Sequence, residues 1–509
     1  MKVANKVALN TVILYVKLVL GVLISLYSVR LILKALGADD YGIYDVVAGV
    51  INLLGFVSAS LSMTSTRFIS VSIGEGIPEK TQKTFKACFA LHFLIAVALV
   101  LLLQIVFLFV FDELTISATR LSSAKWIYQF MLVTLFLNVV VTPFTALIIS
   151  HEHFLYVSII GIVESLLKLG VAFVISSYHS DRLVLYGALM AAIAVFDVLS
   201  YIIFCAIKYR QDMSVGVCSV KELKGVSGFA SWTLLDVLGT VIPRQGYAVL
   251  LNKFFGTMVN AVFALARQME GVIYTLSASV IDSMKPQIMK SYGQGDVQRM
   301  LRLSMLAGRL GFFMMSIIAI PLLVMMPAVL TWWLGDFPND TILYTRLLIV
   351  ACMINQLTMG LFYANQAIGD IKWFSIVVAS IRMLSLPVSL VLFLCGMEAY
   401  MAIVVFVICE TVASFARVVM LSRQTEFKIS SFLKDLSVKV FPPALIAMVV
   451  CISLYRISQD IVYSIVVFLC TVFCYVLLCF FIGLSKDERS IVKEMFQSVW
   501  IRIRHGQQR

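Results

Sequence analysis

The residues of this chain most able to do chemistry are charged side chains standing inside long apolar segments. The cations are Lys17, Lys168, Arg244, Arg267, Arg309 and Arg382; the acids are Asp45, Glu164, Asp197, Asp236, Glu270 and Glu410. A charge near the centre of a bilayer costs at least about 2.5–3.5 kcal/mol, so it faces a cavity or a partner. A cation held there without a neighbouring acid attracts an anionic ligand such as a phosphate or diphosphate. A carboxylate held there can exchange a proton or bind a sodium ion.

Spacing divides these residues into groups. Glu164 and Lys168 are four apart and Arg267 and Glu270 three apart, so each couple is expected to neutralise itself on one helix face. Lys17 and Arg244 have no acid at helical spacing, and each stands in the first helix of its half of the chain. They are expected to face each other across a central cleft and, with Arg267 and Arg382, to line a cationic substrate-binding cavity. Asp45, Asp236 and Glu410 lack obvious helical partners and are the candidates for ion coupling. His151-Glu152-His153 has no third ligand in view and reads as a turn at a membrane surface. No catalytic constellation, metal site or Gly-x-x-x-x-Gly-Lys-Ser/Thr phosphate loop is present, so no cofactor is implied. The ten cysteines are scattered through apolar segments without a Cys-x-x-Cys pair, as small packing residues would be.

The elements that must position these side chains follow from composition. The 509 residues are 61% hydrophobic and 13% charged, half the charged share of a soluble globular protein. A helix needs about 20 apolar residues to cross the hydrocarbon core, and about fourteen such segments can be counted. Met1–Lys6 runs into the first of them without a plausible cleavage site, which predicts a retained span and not a removable signal peptide. Pro143, Pro243, Pro321 and Pro387 fall inside spans, where each frees a backbone carbonyl and bends its helix.

Two stretches repeat without a gap, 219 positions apart (Leu31 to Leu250). Leu31, Lys34, Gly37, Ser58-Ala59-Ser60, Ser72, Gly74 and Gly76 recur as Leu250, Lys253, Gly256, Ser277-Ala278-Ser279, Ser291, Gly293 and Gly295. The offset covers six spans, an even number, so the copies share one orientation about an axis along the membrane normal. The expected fold is an all-α polytopic membrane protein of about 14 transmembrane helices. Residues 1–208 form an N-terminal six-helix bundle and 226–422 its C-terminal counterpart. Residues 438–485 add a two-helix hairpin, and 486–509 a basic cytoplasmic tail.

The net charge of +12 does not call for a nucleic-acid partner. Lysine and arginine concentrate in the even-numbered connections and the tail: Arg67, Lys80, Lys83 and Lys86, then Lys208 to Lys224, Lys285 to Arg302, Arg417 to Lys439, and Lys486 onward. That asymmetry predicts a multi-pass protein with both termini cytoplasmic.

Several strings resemble one family: Leu14-Tyr15-Val16-Lys17, Leu36-Gly37-Ala38-Asp39-Asp40-Tyr41-Gly42-Ile43-Tyr44 and Thr66-Arg67-Phe68 in the first half. In the second half they are Leu250-Leu251-Asn252, Phe254-Phe255-Gly256, Val259-Asn260-Ala261, Pro286-Gln287-Ile288, Lys290-Ser291-Tyr292 and Gly295-Asp296. Together they resemble the bacterial polysaccharide-biosynthesis exporters, the Wzx-type flippases of the multidrug/oligosaccharidyl-lipid/polysaccharide superfamily. The resemblance implies two lobes, alternating access in the bacterial cytoplasmic membrane, and a polyprenyl-diphosphate-linked oligosaccharide as substrate. O-antigen, capsule or exopolysaccharide assembly would be its setting, beside a polysaccharide polymerase and chain-length regulator. Lys17 stands where relatives often carry arginine; Arg267 and Asp45 depart from the family pattern of a neutral polar residue and asparagine. An ion-coupled multidrug antiporter of the same superfamily is the alternative, and its cavity should be acidic. A lipid II flippase is another. A membrane glycan ligase or polymerase fits less well, because the outward connections, such as Gly335–Asp340, are short.

Overall fold

The computed structural model describes residues 3–52, 54–110, 119–216, 218–338, 340–458, 460–485 and 488–489. Every regular element among them is a helix. In chain order these are α1 (Val3–Asn52), α2 (Gly55–Glu75), α3 (Pro78–Val110), α4 (Leu121–Ser150), α5 (Phe154–Ser177) and α6 (Arg182–Lys208). The second half holds α7 (Val220–Gly293), α8 (Val297–Leu334), α9 (Asp340–Ile368), α10 (Lys372–Leu394) and α11 (Met401–Gln424). The last pair is α12 (Ile429–Tyr455) and α13 (Ile461–Gly483), each holding one π-helical turn.

Two of these helices are longer than any bilayer and break at glycine. α1 breaks at Gly37 (φ 81°, ψ 168°) and α7 at Gly256 (φ 81°, ψ −176°). Only glycine readily occupies that region of backbone space. Twelve helical stretches among the described residues are long and apolar enough to cross a membrane, Val220–Thr275 of α7 counting as one of them. With both breaks at matching glycines, the repeat read in the sequence is a repeat of backbone geometry. Its far anchors agree as well: Gly76 and Gly295 both close their helices in the left-handed conformation, at φ 73° and 76°.

The chain forms two compact units. One comprises Val12–Val237 with Met289–Asp296, and is called here the first unit. The second comprises the described residues of Met1–Thr11, Leu238–Ile288 and Val297–Arg509. In the first unit a core of Ile69, Phe85, Ile127, Phe144 and Leu147 joins α2, α3 and α4, with Phe85 and Phe144 edge to face at 5.2 Å. The last turns of α7 belong to it through a buried Lys290–Glu152 ion pair of 3.0 Å and a glycine crossing. A methyl group on Gly293 would strike the carbonyl of Val71, and one on Gly74 the carbonyl of Lys290.

In the second unit α8 and α9 approach so closely that side chains at Gly308 and Gly360 would strike the backbone of the opposite helix. Lipid tails are as apolar as leucine, so helices associate in a membrane through such close packing and through polar contacts. The α12–α13 pair docks on α8 through Phe312, Phe313, Val440, Ala447 and Tyr475. An ion cluster fixes it: Arg309, 5% exposed at its side chain, holds Asp435 at 3.0 Å and also Glu488, while Lys439 holds Asp435 at 2.7 Å. Arg309 is thus taken up by structural partners.

Candidate functional site

The bend at Gly256 lays the two arms of α7 side by side, and this assembles a charged cluster in the second unit. Arg244 on the first arm donates through Nη2 to Glu270 Oε1 on the second at 2.7 Å. Glu270 keeps 6% of its side-chain surface and Arg244 35%. Arg267 lies one turn before Glu270 but does not pair with it. Its Nη1 donates to the backbone carbonyl of Arg244 at 3.2 Å, and its guanidinium stands 5.8 Å from the ring centre of Phe263. The expected Arg267–Glu270 couple is corrected here: the carboxylate is claimed from across the bend, because α7 folds a second arginine onto it. Arg244 in turn is not a lone cation.

A second carboxylate lies deeper. Glu410 on α11 accepts two bonds from Arg382 on α10, Nε to Oε2 at 3.0 Å and Nη2 to Oε1 at 2.5 Å. Arg417, two turns along the same face of α11 from Glu410, has its Nη2 3.7 Å from the same Oε1. Asn355 on α9 ties the arginines together, its Oδ1 accepting from Arg417 at 2.6 Å and from Arg382 at 3.4 Å. Arg382 also donates to Thr240 at 3.1 Å, and Arg417 to Thr358 at 3.0 Å. Glu410 was expected to lack a partner. It has none at a spacing of three or four on α11, yet Arg417, seven residues along the same helix, and Arg382 of α10 both come within 4 Å of it. Arg244, Glu270, Arg382, Glu410, Thr240 and Asn355 line a cavity of about 30 Å³, room for one or two water molecules.

The first unit carries a different set. Glu164 and Lys168 on α5 form the expected i,i+4 pair at 2.6 Å. Lys17 on α1 lies flat against α5 at Gly161, where a methyl group would meet its Cε and stand 2.9 Å from its Nζ. Glu164 and Asp197 are the acids whose fields act on it. Lys17 is therefore not without acids, which reach it from α5 and α6 and not from its own helix. Asp197 Oδ1 is buried with no hydrogen bond among the described residues. Asp236 is 4% exposed on α7. The side chain of Asp45 lies outside the described residues.

The His151-Glu152-His153 turn, with Glu152 at φ 63°, packs on the end of α6. His151 stacks on Tyr209 at 4.2 Å and contacts Asp212 at 2.9 Å; His153 bonds the Tyr209 hydroxyl and Lys208.

No protein-family model matches the chain. It is 22% identical over 488 residues to an uncharacterized membrane protein, EpsK, of Bacillus subtilis (strain 168), a match spanning 94% of this chain and 95% of that one. A solved multidrug resistance MATE family transporter of the MOP superfamily, in an outward-facing conformation, superposes with a TM-score of 0.72 at 14% identity. The match covers 85% of this chain and 97% of that one. The fold is that of a MOP superfamily transporter. A MOP superfamily transporter from Pyrococcus furiosus, described by the reverse polarity of its binding pocket, matches with a TM-score of 0.66 at 14% identity, over 85% of this chain and 97% of its own.

On this MOP scaffold the structure joins three of the four sequence-predicted cations, Arg244, Arg267 and Arg382, into one cluster with Glu410. Lys17 and Asp236 stand in the other unit with partners of their own. Arg417, Asn355 and Thr240 were missed. Arg417 reads in sequence as part of a basic cytoplasmic run, yet its side chain is 1% exposed. The signal that finds it is the spacing of seven from Glu410, which puts both on one face of α11.

Proposed function

We propose that this protein is a flippase moving a polyprenyl-diphosphate-linked oligosaccharide across the bacterial cytoplasmic membrane by alternating access, for O-antigen, capsule or exopolysaccharide assembly. The observation that carries this reading is the charge of the second unit's cluster, four arginines to two glutamates, on helices long and apolar enough to cross a membrane. A surplus of cations there calls for an anion, and a diphosphate supplies one with oxygens enough for two guanidinium forks. The polyprenyl tail stays in the bilayer while the head is held in the protein. Loop charge supports a topology with both termini in the cytoplasm, and a polymerase and chain-length regulator would be the partners that receive the product.

A second reading, a cation-exporting antiporter, draws on the acids of the first unit, where Asp197 has a buried oxygen without a hydrogen bond, and on the multidrug transporters of like fold. Reconstitution separates the two. Proteoliposomes of the wild-type chain should flip a polyprenyl-diphosphate oligosaccharide, and Lys17→Ala and Arg267→Ala should each slow flipping at least about tenfold while keeping a wild-type elution profile and Tm. Export of an organic cation with no flipping of any glycan tried would replace the flippase by the antiporter.

A further inference from the structure

The donors of the arginine cluster are unequally engaged. An arginine offers five N–H donors in a fixed fork. Arg382 spends its fork on Glu410, Thr240 and Asn355, and its side chain is 9% exposed. Arg244 makes one side-chain hydrogen bond, to Glu270, and Arg267 one, to the Arg244 carbonyl. Both residues remain partly exposed, and both line one small cavity of about 10 Å³ together with Glu270. The less engaged donors are thus those of Arg244 and Arg267, and the group already seated on Arg244 is a carboxylate of the chain itself.

We propose that Glu270 is an internal stand-in for the substrate's phosphate, and that binding proceeds by exchange: an incoming diphosphate oxygen takes Arg244 from Glu270, and Glu270 takes it back on release. This deepens the anionic-substrate reading above and rests on it. The geometry supports the exchange at both ends. A diphosphate on the Arg244–Arg267 pair can take hydrogen bonds from both guanidiniums, whereas Glu270 takes one from Arg244 and acts on Arg267 through its field alone. The departing carboxylate has somewhere to go. The adjoining cavity of about 30 Å³ has room for water and presents the Asn355 amide, whose oxygen is committed to arginines and whose N–H₂ remains to donate. Glu410 cannot follow the same course, because Arg382 grips it by two bonds in a buried pair. Competition from Glu270 also keeps the substrate from being held too tightly to leave, since a ligand that pays to displace a resident group is bound more weakly by that amount.

The test is equilibrium binding of inorganic pyrophosphate, and in a second arm of a polyprenyl diphosphate in micelles, to the purified full-length chain. Glu270→Gln keeps the size of the side chain and removes its charge. It should bind at least about tenfold more tightly than wild type. A residue that merely props the helix would give equal or weaker binding when substituted. Arg244→Ala/Glu270→Gln removes both members of the pair, so it leaves no stranded buried charge, and it should lose the tightening. Tightening in both arms assigns the exchange to any diphosphate; tightening only with the lipid assigns it to the lipid head group. Glu270→Gln binding no tighter than wild type in either arm overturns the proposal. Binding is read without transport, so the two readings fail separately. Tightening in a protein that flips no glycan keeps the exchange and sinks the flippase, and flipping without tightening does the reverse.

Discussion

Removing Glu410 should destabilise this protein more than removing either arginine it holds. The carboxylate is 7% exposed and carries Arg382 on both oxygens, with Arg417 at 3.7 Å. Glu410→Ala leaves both guanidiniums in the membrane interior with hydrogen bonds to the neutral groups of Thr240, Asn355 and Thr358. Breaking a buried ion pair from one side costs about 3–5 kcal/mol, because the surviving charge is stranded. With two cations stranded, the loss belongs near the upper end, about 5 kcal/mol. Arg382→Ala strands one charge, and Arg417 still stands within 4 Å to receive it, so about 3 kcal/mol is the better figure. Arg382→Ala/Glu410→Ala removes the pair together, and its loss should fall short of the sum of the singles by about 2 kcal/mol, a coupling ordinary for groups in contact. Unfolding of the purified chain by SDS titration into mild detergent micelles gives all three values. A Glu410→Ala protein as stable as wild type, or less affected than Arg382→Ala, would show that water or lipid head groups neutralise these arginines and that the low-dielectric argument is wrong.

Four further substitutions probe other links. Gly256→Ala forces a side chain into backbone space that costs about 1–3 kcal/mol, and it should lower Tm and misplace Arg244 against Glu270; the same change at Gly37 should cost a similar amount, and an unchanged Tm at both would remove the glycine hinge from the account. Gly161→Val should expel Lys17 from the face of α5 and mimic Lys17→Ala in flipping assays, whereas wild-type flipping would show that Lys17 acts from elsewhere. Asp181 caps α6, accepting from the amides of Leu183 and Val184 and from Ser123, with Arg120 at 3.5 Å. Partial burial works against its charge, yet these bonds outweigh burial and hold its pKa below the ordinary value of 3.8. A lowered folded-state pKa means stability that is present above the unfolded value and lost as pH falls through the folded one. Asp181→Ala should therefore lower stability by about 1 kcal/mol at neutral pH, and the gap from wild type should close in acid below the ordinary aspartate range; a gap independent of pH would show that the cap does not act through its charge.

How far the sequence reveals this architecture depends on the range of the interaction that fixes each feature. Spans are a property of about 20 consecutive residues, so their presence and order are legible from hydropathy alone. The kinks are legible too, because a φ of +81° has to fall on glycine and the repeat marks which glycines matter. Partners across a bend are not legible. Arg267 and Glu270 look like a couple at a spacing of three, and only the closing of α7 at Gly256 shows that Arg244 reaches the carboxylate first. Arg417 fails for a different reason. A basic residue near others at the end of a span reads as a loop charge, and its burial depends on a carboxylate two turns away and an asparagine on α9.

The duplication supplies hinges to both halves and leaves the chemistry to diverge. Gly37 and Gly256 share one backbone conformation, and Gly76 and Gly295 another, so the bends have been retained on both copies. Lys34 recurs as Lys253, but the charged positions of the site have not been retained. Counting back the same distance from each kink glycine reaches Lys17 in one copy and Asp236 in the other, opposite charges at equivalent points of the two helices. The position of Arg244 corresponds to Ser25, that of Arg267 to Ala48 and that of Glu270 to Ile51. A bend transmits motion whichever side chains it carries, whereas an anion needs its guanidiniums at one place only. The separation of charge between the units follows from that difference. In the first, Lys17 and Lys168 are matched by Glu164 and Asp197; in the second, arginines outnumber acids at the one bend that brings Arg244 and Arg267 together. Transferring that pattern tests the logic. Ser25→Arg with Ala48→Arg places the two guanidiniums at the equivalent positions of the first unit without the Glu270 counterpart. If the duplicated bend is sufficient to build the anion site, this variant should acquire a second equivalent of pyrophosphate binding. A variant that folds and binds one equivalent would show that the packing of α10 and α11, which the first unit does not reproduce residue for residue, is as necessary as the hinge.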